Sequence, residues 1–259
     1  MDDNNEILII PQTLNNNLLN SILMSLFLSQ YSRKLLINHF HKKNNKLFTI
    51  FDLILNKLNK PCKLYDIYSI KTLHYLFYQN KIISKIEFEK GKYNLIKIMK
   101  KLIKFMNMKV IILHKYFTKQ PKYSPDYIIC PIHECKDKII NYNNNTYILD
   151  SCIIENFIFD DNDNDNDNEN SIVGITSNDI KYLFNGWLIK PDKIDNDLVK
   201  VKIKKDIHSE STLVKFDWSN ENNMDFCLNI SLALMEDENN DTCLSFHKIH
   251  RTFIYVKVN

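Results

Sequence analysis

The 259-residue chain carries 34 Lys or Arg against 31 Asp or Glu, a formal net charge of +3, with 44% hydrophobic and 25% charged residues. That balance excludes a globally disordered chain and is enough to bury a core in one large domain or two small lobes. Only three glycines occur, Gly91, Gly174 and Gly186, which excludes the glycine-rich phosphate loops of Rossmann and P-loop nucleotide binders.

The opening MDDNNEILII lacks the basic start and apolar centre of an export signal. No apolar run approaches the ~20 residues that span a bilayer. Cys62, Cys130, Cys135, Cys152, Cys227 and Cys243 are scattered, and with no export signal they read as reduced thiols. Residues 7–10, closed by Pro11, form a short apolar segment suited to an edge strand.

Helical periodicity then begins in LNNNLLNSILMSLFLSQYSR, residues 14–33. Leu19, Ile22, Leu23, Leu26 and Phe27 place one apolar stripe on a helix, with Asn16 or Asn17 as its N-cap and an end near Phe40. Further helices are expected over 48–58, 64–79 and 93–106, with Pro61 separating the first two. Between Arg33 and Lys122 stand 21 Lys or Arg against 4 Asp or Glu. Solvated lysine-rich helix faces account for this, and an anionic partner such as nucleic acid is the functional alternative.

Strands dominate afterwards, over 108–115, 126–132, 146–150, 172–177, 180–184, 212–216 and 252–258. Ser177-Asn178-Asp179 is a compact turn between two of them. The expected class is α+β: one domain over 1–259, with a helical lobe at 1–107 packed against an antiparallel sheet at 108–259. Within it, DDNDNDNDNEN at 160–170 reads as an expanded acidic loop. Taken as a calcium loop from Asp161, its sixth and twelfth positions hold Asn166 and Ile172 where Gly and a bidentate Glu are needed. Cys130, His133 and Cys135 supply three soft ligands but no second pair, so neither metal nor cofactor is expected.

NLLNSILMSLFLSQYSR at 17–33 resembles the active-site helix of a papain-like cysteine protease family of large DNA viruses. That family carries the form N-S-C-W-F-D-S-I-L-M-A-L-F-Y-S-Q-Y-S-R, similar to the cysteine box of ubiquitin-specific proteases. YILDSCIIEN (147–156), GITSNDIKYLFNGW (174–187), DFCLN (225–229) and CLSFHKIHRTFIYV (243–256) match further motifs in chain order. The resemblance implies a papain-like fold, with a thiol activated at a helix start, a histidine on the facing sheet and an Asn or Asp orienting it.

Carried over residue by residue, the family's nucleophile falls on Asn17, its histidine on Asn170, and the orienting position on Asn185. Carboxamides supply neither nucleophile nor proton relay near neutral pH. The resemblance therefore implies a catalytically inactive relative that serves as a protein-binding or structural module in host cytoplasm or virion. A ubiquitin-like protein is the implied partner class, and no membrane is expected. Two alternatives stand beside it. One is a basic nucleic-acid-binding or virion-associated protein. The other is an active protease or deubiquitinase with a relocated triad drawn from Cys130 or Cys152 and His133, His247 or His250.

Overall fold

The computed structural model describes residues 6–9, 17–39, 45–56, 70–91, 93–113, 123–131, 137–155, 171–184, 199–202, 213–220, 225–229, 241–245 and 250–258. Asn170, Asn185, His133, His247 and the acidic run 160–170 lie outside them, as do Cys62 and Cys135.

After strand β1 (Glu6–Ile9), the chain enters α1 (Asn17–Leu23), a π-helical turn (Met24–Leu28) and α2 (Gln30–His39). The single helix expected here is in fact broken at Ser29, whose backbone is extended at φ −72° and ψ 139°. The sheet wins this residue from the helix ladder. Ser29 Oγ donates to the Asp150 carbonyl at 2.8 Å and accepts from the Thr176 amide at 3.0 Å. All five residues of the π-helical turn are buried, so this stretch is the axis of the helical layer.

Around it lie α3 (Lys46–Asn56), α4 (Ile70–Gln79), α5 (Lys85–Lys90) and α6 (Leu95–Phe105). Helix α5 is too short to show periodicity. Its ends are nevertheless written in the sequence: Ser84 and Glu87 form a reciprocal capping box, and Gly91 closes the helix at φ 68°. In α6, Asn94 accepts from the Lys97 amide, and Leu95, Ile98, Met99, Leu102 and Ile103 face the core.

The strands that follow are β2 (Val110–Ile112), β3 (Tyr127–Cys130), β4 (Ile139–Tyr142), β5 (Asn145–Glu155), β6 (Ser171–Ser177), β7 (Ile180–Phe184), β8 (Val199–Lys202), β9 (Leu213–Lys215), β10 (Asp225–Asn229), β11 (Asp241–Ser245) and β12 (His250–Lys257). The main sheet runs β2-β3-β12-β5-β6-β7-β9, with β4 also paired to β5. The pairs β1-β8 and β10-β11 form two-stranded ladders of their own. One expectation is corrected here: the sheet is not wholly antiparallel, because β2 and β3 run parallel.

Two hairpins close on two-residue turns with both residues left-handed: Asn143-Asn144 at φ 47° and 58°, and Asn178-Asp179 at φ 49° and 60°. That is the turn whose twist matches antiparallel strands, built here from Asn and Asp in a chain short of glycine. Both sheet faces are covered. Ile129, Ile153, Val173, Ile175, Ile254 and Val256 join the helices in one core. Ile128, Cys152, Ile154, Leu183, Phe253 and Trp218 form a second core on the opposite face. Burial on both faces explains why these strands read as continuous apolar runs.

Candidate functional site

Helix α1 and the π-helical turn pack on β5 and β6. Serines at helical spacing, Ser21, Ser25, Ser29 and Ser32, are all buried and line the sheet side of this layer. Ser21 Oγ lies 2.8 Å from Ser171 Oγ, the first residue of β6. Farther along, Ser151 Oγ donates to the Ser25 carbonyl at 3.5 Å, and Ser32 Oγ donates to the Leu26 carbonyl at 2.7 Å while lying 2.9 Å from the Tyr127 hydroxyl. This polar seam inside an apolar interface escaped the sequence reading, although its signal is the serine spacing within the helix itself.

Asp150 is the centre of the seam. The β5–β12 register slips between Ile254 and Tyr255, opposite Ser151 and Leu149, which leaves Asp150 as the extra residue of a bulge. Its Oδ1 accepts from the Tyr31 amide at 3.1 Å and its Oδ2 from the Ser32 amide at 2.8 Å, so the carboxylate caps the first turn of α2. Its carbonyl, freed from the ladder, accepts from Ser29 Oγ and, at 2.6 Å, from Thr176 Oγ1. Burial raises the Asp150 carboxyl to about 6, although the α2 amides, Ser29 and the charge of Lys181 pull it down.

At the solvent end of the seam, Asp179 accepts from Gln30 Nε2 at 3.0 Å and from the Tyr31 hydroxyl at 2.9 Å. Lys181 Nζ reaches Thr176 Oγ1 at 3.2 Å and sits 4.2 Å from the centre of the Trp218 ring; burial lowers its pKa.

Of Asn17, Asn170 and Asn185, only Asn17 is among the described residues. Asn17 is the first residue of α1, one turn before Ser21; Asn170 immediately precedes Ser171, and Asn185 immediately follows Phe184 at the end of β7. The sheet-side thiols differ from one another. Cys152 is fully buried against Gly174, and burial pushes its thiol up to about 12, the reverse of nucleophile activation. Cys130 is disulfide-bonded, which corrects the expectation that every cysteine is a reduced thiol. The two imidazoles whose side chains are described engage no thiol: His39 bonds the Leu35 carbonyl and His74 the Tyr93 hydroxyl.

Among the described residues, no group of three or more His, Cys, Asp or Glu is placed to hold a metal ion. Nor is any helix among them long and apolar enough to cross a membrane. The helical region presents a row of exposed lysines on α6. Lys97, Lys100 and Lys104 are exposed along α6, and Lys101 Nζ donates to the Lys81 carbonyl at 3.1 Å. Asn80 beside Lys81 bonds Asn45, which places Lys46 at the same end of the lobe. Only Lys97 on α6 forms an ion pair among the described residues, with Glu87 at 3.1 Å.

Fold and site together define an α+β protein whose serine-lined helix is latched to a mixed sheet by a buried aspartate. No family model and no curated protein matches the chain.

Proposed function

We propose that the chain is a catalytically inactive relative of the papain-like cysteine proteases that its helix motif resembles, retained as a protein-binding or structural module. The observation that carries this reading is the hydrogen bond between Ser21 and Ser171. It brings the first turns of α1 next to the start of β6, the two places where such a protease keeps its thiol and its imidazole. In the sequence correspondence, Asn17 and Asn170 stand where the family has that thiol and that imidazole. The burial of Cys152 and the disulfide at Cys130 weigh against a triad rebuilt from sheet-side thiols. A ubiquitin-like tail is the partner class proposed, because recognition of the tail uses surfaces beside the nucleophile and not the thiol itself.

The test is in two parts. A thiol-reactive ubiquitin-tail probe leaves the wild type unlabelled and labels the Asn17→Cys, Asn170→His double variant; labelling of the wild type overturns the inactive reading. Separately, Asn17→Cys with Asn170→Cys is joined by a short bismaleimide in the folded protein. Failure to join sinks the correspondence with the protease site even if nothing is learned about ubiquitin.

The row of lysines on α6 favours a second reading, binding of a nucleic-acid backbone. If it is correct, affinity for a random-sequence duplex falls steeply with salt, and Lys100→Glu with Lys104→Glu flattens the log–log slope by about 2, close to one unit for each phosphate no longer neutralised. The same charge change at Lys215 and Lys257 leaves the slope unaltered. Absence of binding at low salt removes this reading.

A further inference from the structure

The β10–β11 ladder sets Cys227 directly opposite Cys243, in a register that also pairs Asp225 with Ser245 and Asn229 with Asp241. Facing residues of an antiparallel pair have Cα atoms about 4.5–5.5 Å apart and share one face of the ladder. That separation lies inside the roughly 4.4–6.8 Å window that a disulfide bridges without moving the backbone. No other two described cysteines share a register: Cys130 faces Phe253, and Cys152 faces Phe253 and Gly174.

We infer that Cys227 and Cys243 are a paired oxidation site, a dithiol that closes to a cross-strand disulfide and fastens the β10–β11 ladder to itself. Among the described residues, these two short strands ladder only with each other. Such a pair is marginal without a further link, and a covalent bond between facing residues fixes its register.

With glutathione disulfide as oxidant, the thiolate of one cysteine attacks a glutathione sulfur, forming a mixed disulfide and expelling one glutathione thiolate. The thiolate of the other then attacks the protein sulfur, forming the Cys227–Cys243 bond and expelling the second glutathione. Overall the two cysteine thiols lose two electrons and two protons, and one glutathione disulfide becomes two glutathiones.

The experiment equilibrates the reduced full chain in glutathione buffers of graded ratio, blocks free thiols by alkylation and maps linked peptides by mass spectrometry. The expected result is a peptide joining residue 227 to residue 243, absent from Cys227→Ser and from Cys243→Ser. The oxidised wild type is expected to resist proteolysis between residues 225 and 245 at least several-fold longer than the reduced form. Linkage of either cysteine to a different one, or glutathione retained on both, overturns the assignment. So does a dithiol that stays reduced at every ratio in a chain whose Cys130 disulfide forms in the same buffers.

Discussion

Replacing Asp150 with Ala is expected to lower the unfolding free energy by about 2–4 kcal/mol, read from urea denaturation at pH 7. The carboxylate is the acceptor for two amides at the start of α2, and the Ser32 amide lies in the interior with no solvent to replace it. The substitution also empties the space beneath the break at Ser29. A loss below about 0.5 kcal/mol means that the latch contributes no more than an ordinary surface residue.

The same group gives stability a pH dependence of unusual sign. An acid that the fold lifts from 3.8 to about 6 binds its proton more tightly when folded than when unfolded. Its contribution is therefore complete below the unfolded value and is lost as pH rises through 6. Over that interval the linkage amounts to roughly 3 kcal/mol. Measured against Asp150→Asn, which cannot titrate, the wild type gains relative stability on acidification from pH 7 to pH 5. A difference that stays flat over that range contradicts the burial argument.

Gly174→Ala is the second large effect. A β-carbon built at Gly174 falls 2.7 Å from Cys152 Sγ and 2.7 Å from both Cδ1 and Nε1 of Trp218. Gly174 sits in β6, in the middle of the sheet, so the strand cannot shift without breaking its pairing with β5 and β7. The indole is pinned as well: Nε1 donates to the Ile175 carbonyl at 3.4 Å, and Lys181 covers the ring. Overpacking of this kind costs about 1–3 kcal/mol. Adding Cys152→Ala removes one of the obstructions and leaves the two indole atoms, so the double variant recovers only part of the loss. Full recovery assigns the clash to the sulfur alone.

The residues that could be read from sequence are those whose partners are close in the chain. The apolar spacing of α6, the Asn178-Asp179 hairpin and the strands β6 and β7 depend on neighbours a few residues away, and they lie where the pattern puts them. The break at Ser29 could not be read, because its partners Asp150 and Thr176 are 121 and 147 residues distant. Strand β5 runs to Glu155, beyond the expected 146–150, since burial on both faces removed the alternation that marks a strand end. Asp150 did leave a trace in YILDSCII as a lone charge inside an apolar strand, and a charge there needs a buried partner. The cysteine facing Cys227 could not be found by counting, because register is a property of the folded ladder.

The π-helical turn at Met24–Leu28 has a consequence for how this protein can change over time. Adding or removing one residue between Met24 and the extended break at Ser29 re-phases the side chains of α2 by about 100° about its own axis. The angular setting of α2, and with it the reach of Tyr31 to Asp179 and of Arg33 to the Leu55 carbonyl, is therefore encoded as a residue count. Apolar exchanges of similar volume inside this turn leave that count alone, whereas removal or insertion of a single codon misplaces every downstream partner at once. Selection on this stretch is accordingly expected to act on length more strictly than on letters.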